Sequence, residues 1–214
     1  MPGTLKLKSE AGGSVVLTAN TNAATDLTVN ISPVAGTLAT LVANTTGPYF
    51  AQGGVAGNGP TFSAYLSTST NVTSGTTTLI PINTKEWDSA GCFNNTNSSV
   101  TLNGLSVPAY AFCPNVSGYY QINAAMNGTN ASSYDNKSTV FIYKNGSSYK
   151  YMDVNFVGGS GATYNDITAM ISSVVYLNGT SDYIQIQGIV SAGSGTPQFG
   201  GTATWVNAAM IRTA

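Results

Sequence analysis

Hydrophobic and polar residues alternate in short runs along nearly the whole chain, and no stretch sustains an apolar i, i+3, i+4 repeat. Period-two alternation puts successive side chains on opposite faces of an extended strand. Gly, Asn, Ser and Thr interrupt the runs at intervals of about 8–12 residues, the spacing of sandwiches and barrels. The pattern predicts an all-β protein. In PTFSAYLST, Phe62, Ala64 and Leu66 share one face, and in GYYQINAAM, Tyr120, Ile122, Ala124 and Met126 do the same. Leu79, Ile80 and Ile82 surround a proline, which suits a sheet edge or a bulge. STVFIYKNGSSYKYMDVNF predicts a hairpin turning at Asn145-Gly146, a pair that accepts the positive φ angles of a type I′ turn. SSVVYLNGTSDYIQIQGIV predicts a second hairpin, turning at Asn178-Gly179. The apolar closing run TATWVNAAMIRT is expected in the middle of a sheet.

Residues 1–42 read as a separate unit of four short strands, GTLKLKS, GSVVLTA, DLTVNIS and GTLATLV. Each offers too few apolar side chains for an independent core. The unit is therefore expected to pair with other chains or to dock on a larger surface, anchoring through Leu5, Leu7, Val15, Leu17, Leu27 and Val29. A Gly-rich linker, 43–60, separates it from the main domain, 61–214.

Charged residues make up 7% of the chain, against roughly 25% in ordinary soluble domains. With a formal net charge of −1, little repulsion keeps copies apart, so the surface suits an assembly. The lysines and the single arginine are scattered, whereas phosphate binding needs a patch, so nucleic acid is excluded as a partner. No run of 18 apolar residues predicts a membrane span, and the N-terminus lacks the apolar core of a secretory signal. Two cysteines are too few for a disulfide framework. Cys92 and Cys113 are expected as reduced, partly buried thiols, with a bridge between them left open.

The chain has no histidine, which removes the commonest general base and metal ligand. Glu86 and Asp88 flank Trp87 and would point to one side of a regular strand. Such a trio fits a glycosidase site or a sugar-binding platform; the competing reading is a solvated loop or strand edge beside a core tryptophan. Asp153, Asp166 and Asp182 lack the fixed spacing of a calcium loop, and GGSGATYND lacks the lysine and helix of a phosphate loop. No metal, cofactor or enzyme activity is expected. Tyr134, Tyr149, Tyr151 and Tyr164 fall near turns, where tyrosines bind sugars or proteins or fill contacts between identical subunits.

FCPNVSGYY, Phe112 to Tyr120, resembles the Phe-x-x-x-x-x-Gly-x-Tyr signature of complement-head and tumour-necrosis-factor-like domains. FSAYLS at 62–67, LIPINTKEWDSAGCF at 79–93, VFIYKNG at 140–146, SSVVYLNGTSDYIQIQ at 172–187 and FGGTATWVNAAMI at 199–211 resemble that family's segments in the same order. Two residues separate Gly179 from Asp182 where the family has Gly-Asp adjacent, which weakens a calcium site there. The resemblance implies a ten-stranded jelly roll and a homotrimer, with Tyr119, Tyr120, Ile122, Trp205 and Met210 in the core or at the three-fold interface. GTLKLKSEAGGSVVLTA…GTLATL resembles the start of bacteriophage virion proteins of the capsid-decorating and fibre-like kinds. Together these imply a virion protein assembled in the bacterial cytoplasm: a trimeric capsid-decorating (cement) protein whose partners are capsid or tail proteins. The alternative is a fibre tip recognising host surface polysaccharide.

Overall fold

The computed structural model describes residues 59–129, 135–157 and 166–214, together with two strands near the N-terminus. The chain divides into two compact units, Met1–Ala43 and Asn44–Ala214. In the first, β1 (Thr4–Lys8) and β2 (Ser14–Thr18) pair antiparallel, with Leu5 opposite Leu17 and Leu7 opposite Val15. The other two strands expected there, with Leu27 and Val29, lie outside the described residues, as does nearly all of the linker.

The second unit carries β3 (Thr61–Tyr65), β4 (Thr70–Asn71), β5 (Thr78–Leu79), β6 (Thr84–Asp88), β7 (Val100–Leu102), β8 (Leu105–Val107), β9 (Ala111–Phe112) and β10 (Gly118–Thr129). Beyond them lie β11 (Asp135–Lys144), β12 (Ser147–Val157), β13 (Asp166–Leu177), β14 (Ile184–Ser191), β15 (Gln198–Phe199) and β16 (Trp205–Thr213). One sheet runs β6-β3-β16-β10-β13, and the short strands β15 and β4 extend it beside the end of β10. The facing sheet runs β12-β11-β14, with β5 and β9 along the remaining edge of β14. All pairings are antiparallel, and the chain passes repeatedly from one sheet to the other. This is a jelly-roll sandwich of ten strands, with β4 and β15 as an added pair and β7–β8 as a separate small hairpin.

Alternation builds the core. On β10, Tyr120, Ile122, Ala124 and Met126 are fully buried, and on β3 Phe62 and Ala64 meet them from two strands away. Phe62 stacks on Phe93 and Phe112 with centroids 4.5 and 4.7 Å apart, and Phe112 meets Tyr120 edge-on at 5.6 Å. The Tyr120 hydroxyl donates to the Val116 carbonyl at 2.7 Å, so its polar tip is satisfied, and burial pushes its pKa well up. The apolar strand β16 lies between β10 and β3, where both its edges are paired.

The Pro114–Gly118 segment is the corner between sheets: β9 belongs to one and β10 to the other. A Cβ on Gly118 would sit 2.5 Å from the Arg212 carbonyl oxygen, so only glycine lets β10 and β16 close there. The Asn145-Gly146 hairpin has φ of 51° and 78°, the two positive angles of a type I′ turn. The second expected hairpin does not form. β13 and β14 lie in different sheets, and residues 178–183 carry the chain across. Asn178 is not in the left-handed region; its side-chain oxygen instead accepts from the amides of Thr180, Ser181 and Asp182. An Asn-Gly pair that reads as a tight turn here serves as an Asx cap for a crossing.

Candidate functional site: the outer face of the larger sheet

A β-bulge decides the fate of the Glu86–Trp87–Asp88 trio. Ser63 pairs with Trp87 while Ala64 pairs with Lys85, so Glu86 is the extra residue. A bulge breaks strict alternation and redirects side chains. The Glu86 carboxylate accepts from the Ser63 hydroxyl at 2.5 Å. Asp88 turns to the following loop, where it accepts the amides of Cys92 and Phe93 at 2.9 and 3.0 Å and pairs with Lys85 at 3.1 Å. Its side chain is 6% exposed. The expectation of two carboxylates on one side is thus corrected: Asp88 is consumed in folding the loop. Trp87 is not a core residue either, being 53% exposed.

Trp87 and Glu86 border an open groove of about 550 Å³ with Tyr65, Trp205, Ser63 and Asn207. Register explains the grouping, since Trp205 lies opposite Tyr65 and Asn207 opposite Ser63. With a single available carboxylate and no histidine, the groove can stack and hydrogen-bond a ligand. It cannot supply the paired carboxylates of glycoside hydrolysis.

From Asn207 the same face continues as a ladder of mutually bonded polar side chains. The Asn123 amide donates to Asn207 Oδ1 at 2.9 Å, and the Ser172 hydroxyl donates to Asn123 Oδ1 at 2.8 Å. The Gln121 amide donates to Ser172 Oγ at 2.7 Å. Around the ladder stand Tyr119 and Tyr176, 40% and 41% exposed with ring centroids 5.5 Å apart, and the exposed side chains of Val174 and Met170.

The residues singled out in sequence therefore separate. Tyr120 and Ile122 are core; Tyr119 is on the outer face; Trp205 is half-buried beside the groove; Met210 packs partly buried against the core margin. The ladder residues Gln121, Asn123 and Asn207 were not singled out. Their signal was present as the polar positions alternating with the buried residues of β10 and β16, but alternation does not reveal that the amides bond one another.

Asp182 is also accounted for. Its carboxylate receives Lys144 at 2.9 Å, the Asn145 amide at 2.7 Å and the Asn178 backbone N–H at 3.1 Å. Partial burial alone would raise its pKa, but these donors outweigh burial and hold it below the ordinary range. The carboxylate is thus engaged by Lys144, and the described residues contain no gathered set of metal-ligating side chains. Cys92 and Cys113 are free and buried, and burial pushes Cys113 up to about 11, which leaves it a poor nucleophile at neutral pH.

No family model and no curated protein matches the chain. Among solved structures, the globular domain of zebrafish complement 1qA protein is similar at 12% identity, covering 72% of this chain and 99% of that one, with a TM-score of 0.47. Eiger TNF from S. frugiperda is similar at 8% identity, covering 72% of this chain and 95% of that one, with a TM-score of 0.45. The jelly-roll assignment rests on the strand order of the chain itself.

Proposed function

We propose that this protein is a non-enzymatic structural component of a bacteriophage virion, a trimer that decorates and stabilises the capsid. The observation that carries self-association is the outer face of the larger sheet. Its polar ladder is bonded internally, so covering it strands few donors or acceptors, whereas an unsatisfied buried amide costs about 1–3 kcal/mol. The exposed tyrosines, Val174 and Met170 around it supply apolar area to bury. A chain with 7% charged residues is suited to interfaces depleted of charge. The virion setting is supported by the N-terminal resemblance. In this reading residues 1–42, with Leu5, Leu7, Val15, Leu17, Leu27 and Val29, anchor the protein on the capsid because they are too poor in apolar side chains for a core of their own. A trimer that binds only the assembled shell stabilises it by mass action, and three linked anchors add avidity.

The groove beside Trp87 favours a second reading, a receptor-binding tip for host polysaccharide. Copy number separates the two. Quantitative electrophoresis of purified particles is expected to give hundreds of copies for decoration, and a few dozen or fewer for a tail tip. Removing residues 1–42 is expected to abolish particle binding; retention of binding would refute the anchoring role.

A further inference from the structure

The outer face of the smaller sheet differs in chemistry from the face just described. Along β11, Val140 and Ile142 are fully buried, so Phe141 and Tyr143 project outward from a strand fixed by the core. Phe141 lies opposite Tyr151 on β12 and opposite Gln187 on β14, which sets these three side chains in one row across the sheet. The Phe141 ring is 5.6 Å from that of Tyr151, and 5.9 Å from that of Tyr143 in an edge-on arrangement. Tyr151 is 62% exposed. The hydroxyls of Tyr143 and Tyr151 and the amide of Gln187 have no hydrogen-bond partner among the described residues.

We propose that this face is a binding platform for an uncharged polysaccharide, with a pyranose ring lying over Phe141 and Tyr151. The proposal rests on the polysaccharide-recognition reading and moves its site from the Trp87 groove to the opposite sheet. A pyranose has an apolar C–H face and a rim of hydroxyls. It therefore needs ring faces beside free donors and acceptors, and both are present here. The rings are already held against one another, so little side-chain freedom is lost on binding. The charges beside the platform are closed on each other: Asp153 pairs with Lys137 at 3.1 Å and accepts the Thr139 hydroxyl at 2.6 Å, so this pair offers no counter-charge to an acidic or a basic ligand. Among the described residues, that leaves no free anion on the platform to hold a basic partner. A second copy adding as a strand is opposed by the edge itself, because β12 carries Lys150 and a register shift falls at Ile142/Tyr143.

The test is retention of the full-length protein on immobilised bacterial surface polysaccharides, neutral and acidic, with Tyr151→Ala and Trp87→Ala variants in parallel. Neutral polysaccharides are expected to retain the wild type. Tyr151→Ala is expected to weaken retention about tenfold, the effect of losing one stacking surface, with an unchanged melting temperature because the side chain is exposed. Tyr151→Phe, which keeps the ring, is expected to retain most of the binding. Wild-type-like retention by Tyr151→Ala would overturn the inference; if Trp87→Ala were then the defective variant, recognition of polysaccharide would stand with its site in the groove. Retention on acidic polysaccharides alone would overturn the uncharged ligand class. Retention on none would overturn both the platform and the recognition reading.

Discussion

Asp182 shows how a single carboxylate ties the loops at one end of the sandwich. It joins the 144–145 turn to the 178–182 crossing, and Lys144 additionally donates to the Tyr176 carbonyl at 2.7 Å. Replacing Asp182 with Ala strands these donors and is expected to cost on the order of 2–3 kcal/mol in urea unfolding at neutral pH. The sign of the pH dependence follows from the lowered folded pKa. The stabilisation is complete above the unfolded carboxylate range, near about 4, and is lost as pH falls through the lower folded value. The gap between wild type and Asp182→Ala should therefore narrow on acidification; a constant gap would argue against the charged contact. Gly118 offers an independent check at the corner. Gly118→Ala is expected to lower the melting temperature by several degrees, because its Cβ would press on the Arg212 carbonyl. At this scale the sequence is legible where alternation is regular and opaque where it breaks. The strand containing Glu86, Trp87 and Asp88 was recognisable, but the bulge that sends Asp88 into the loop depends on pairing with β3, which lies more than twenty residues away in the chain.

The strands themselves were the most legible level, because burial on one face imposes a period the sequence cannot hide. β3, β10 and β16 follow their apolar pattern, and the Asn145-Gly146 turn follows its backbone requirement. The Asn178-Gly179 pair misled for a physical reason: local turn chemistry does not specify whether the next strand rejoins the same sheet or crosses to the facing one. Central position makes β10 the element most sensitive to truncation. Ile122→Ala, fully buried between the sheets, is expected to cost about 2–5 kcal/mol, measurable as a shift in denaturation midpoint at unchanged slope.

For the molecule as a whole, the two outer faces of the sandwich divide the chemistry. One presents an internally bonded polar ladder ringed by tyrosines and aliphatic side chains; the other presents a cluster of tilted and edge-on rings beside polar groups with no partner among the described residues. The low charge pointed to assembly, but which face would be covered was not legible, because the difference lies in which amides bond each other. In the proposed reading, copies of the chain associate through the ladder face. Sedimentation velocity on the full chain at micromolar concentration tests it most directly, comparing wild type with Tyr176→Arg, which places a charge beside Tyr119. Wild type is expected to sediment as a species of three times the 21.9 kDa chain mass, and the variant as a single chain. A wild type that sediments as one chain at every concentration, or a trimer that Tyr176→Arg leaves intact, would contradict it.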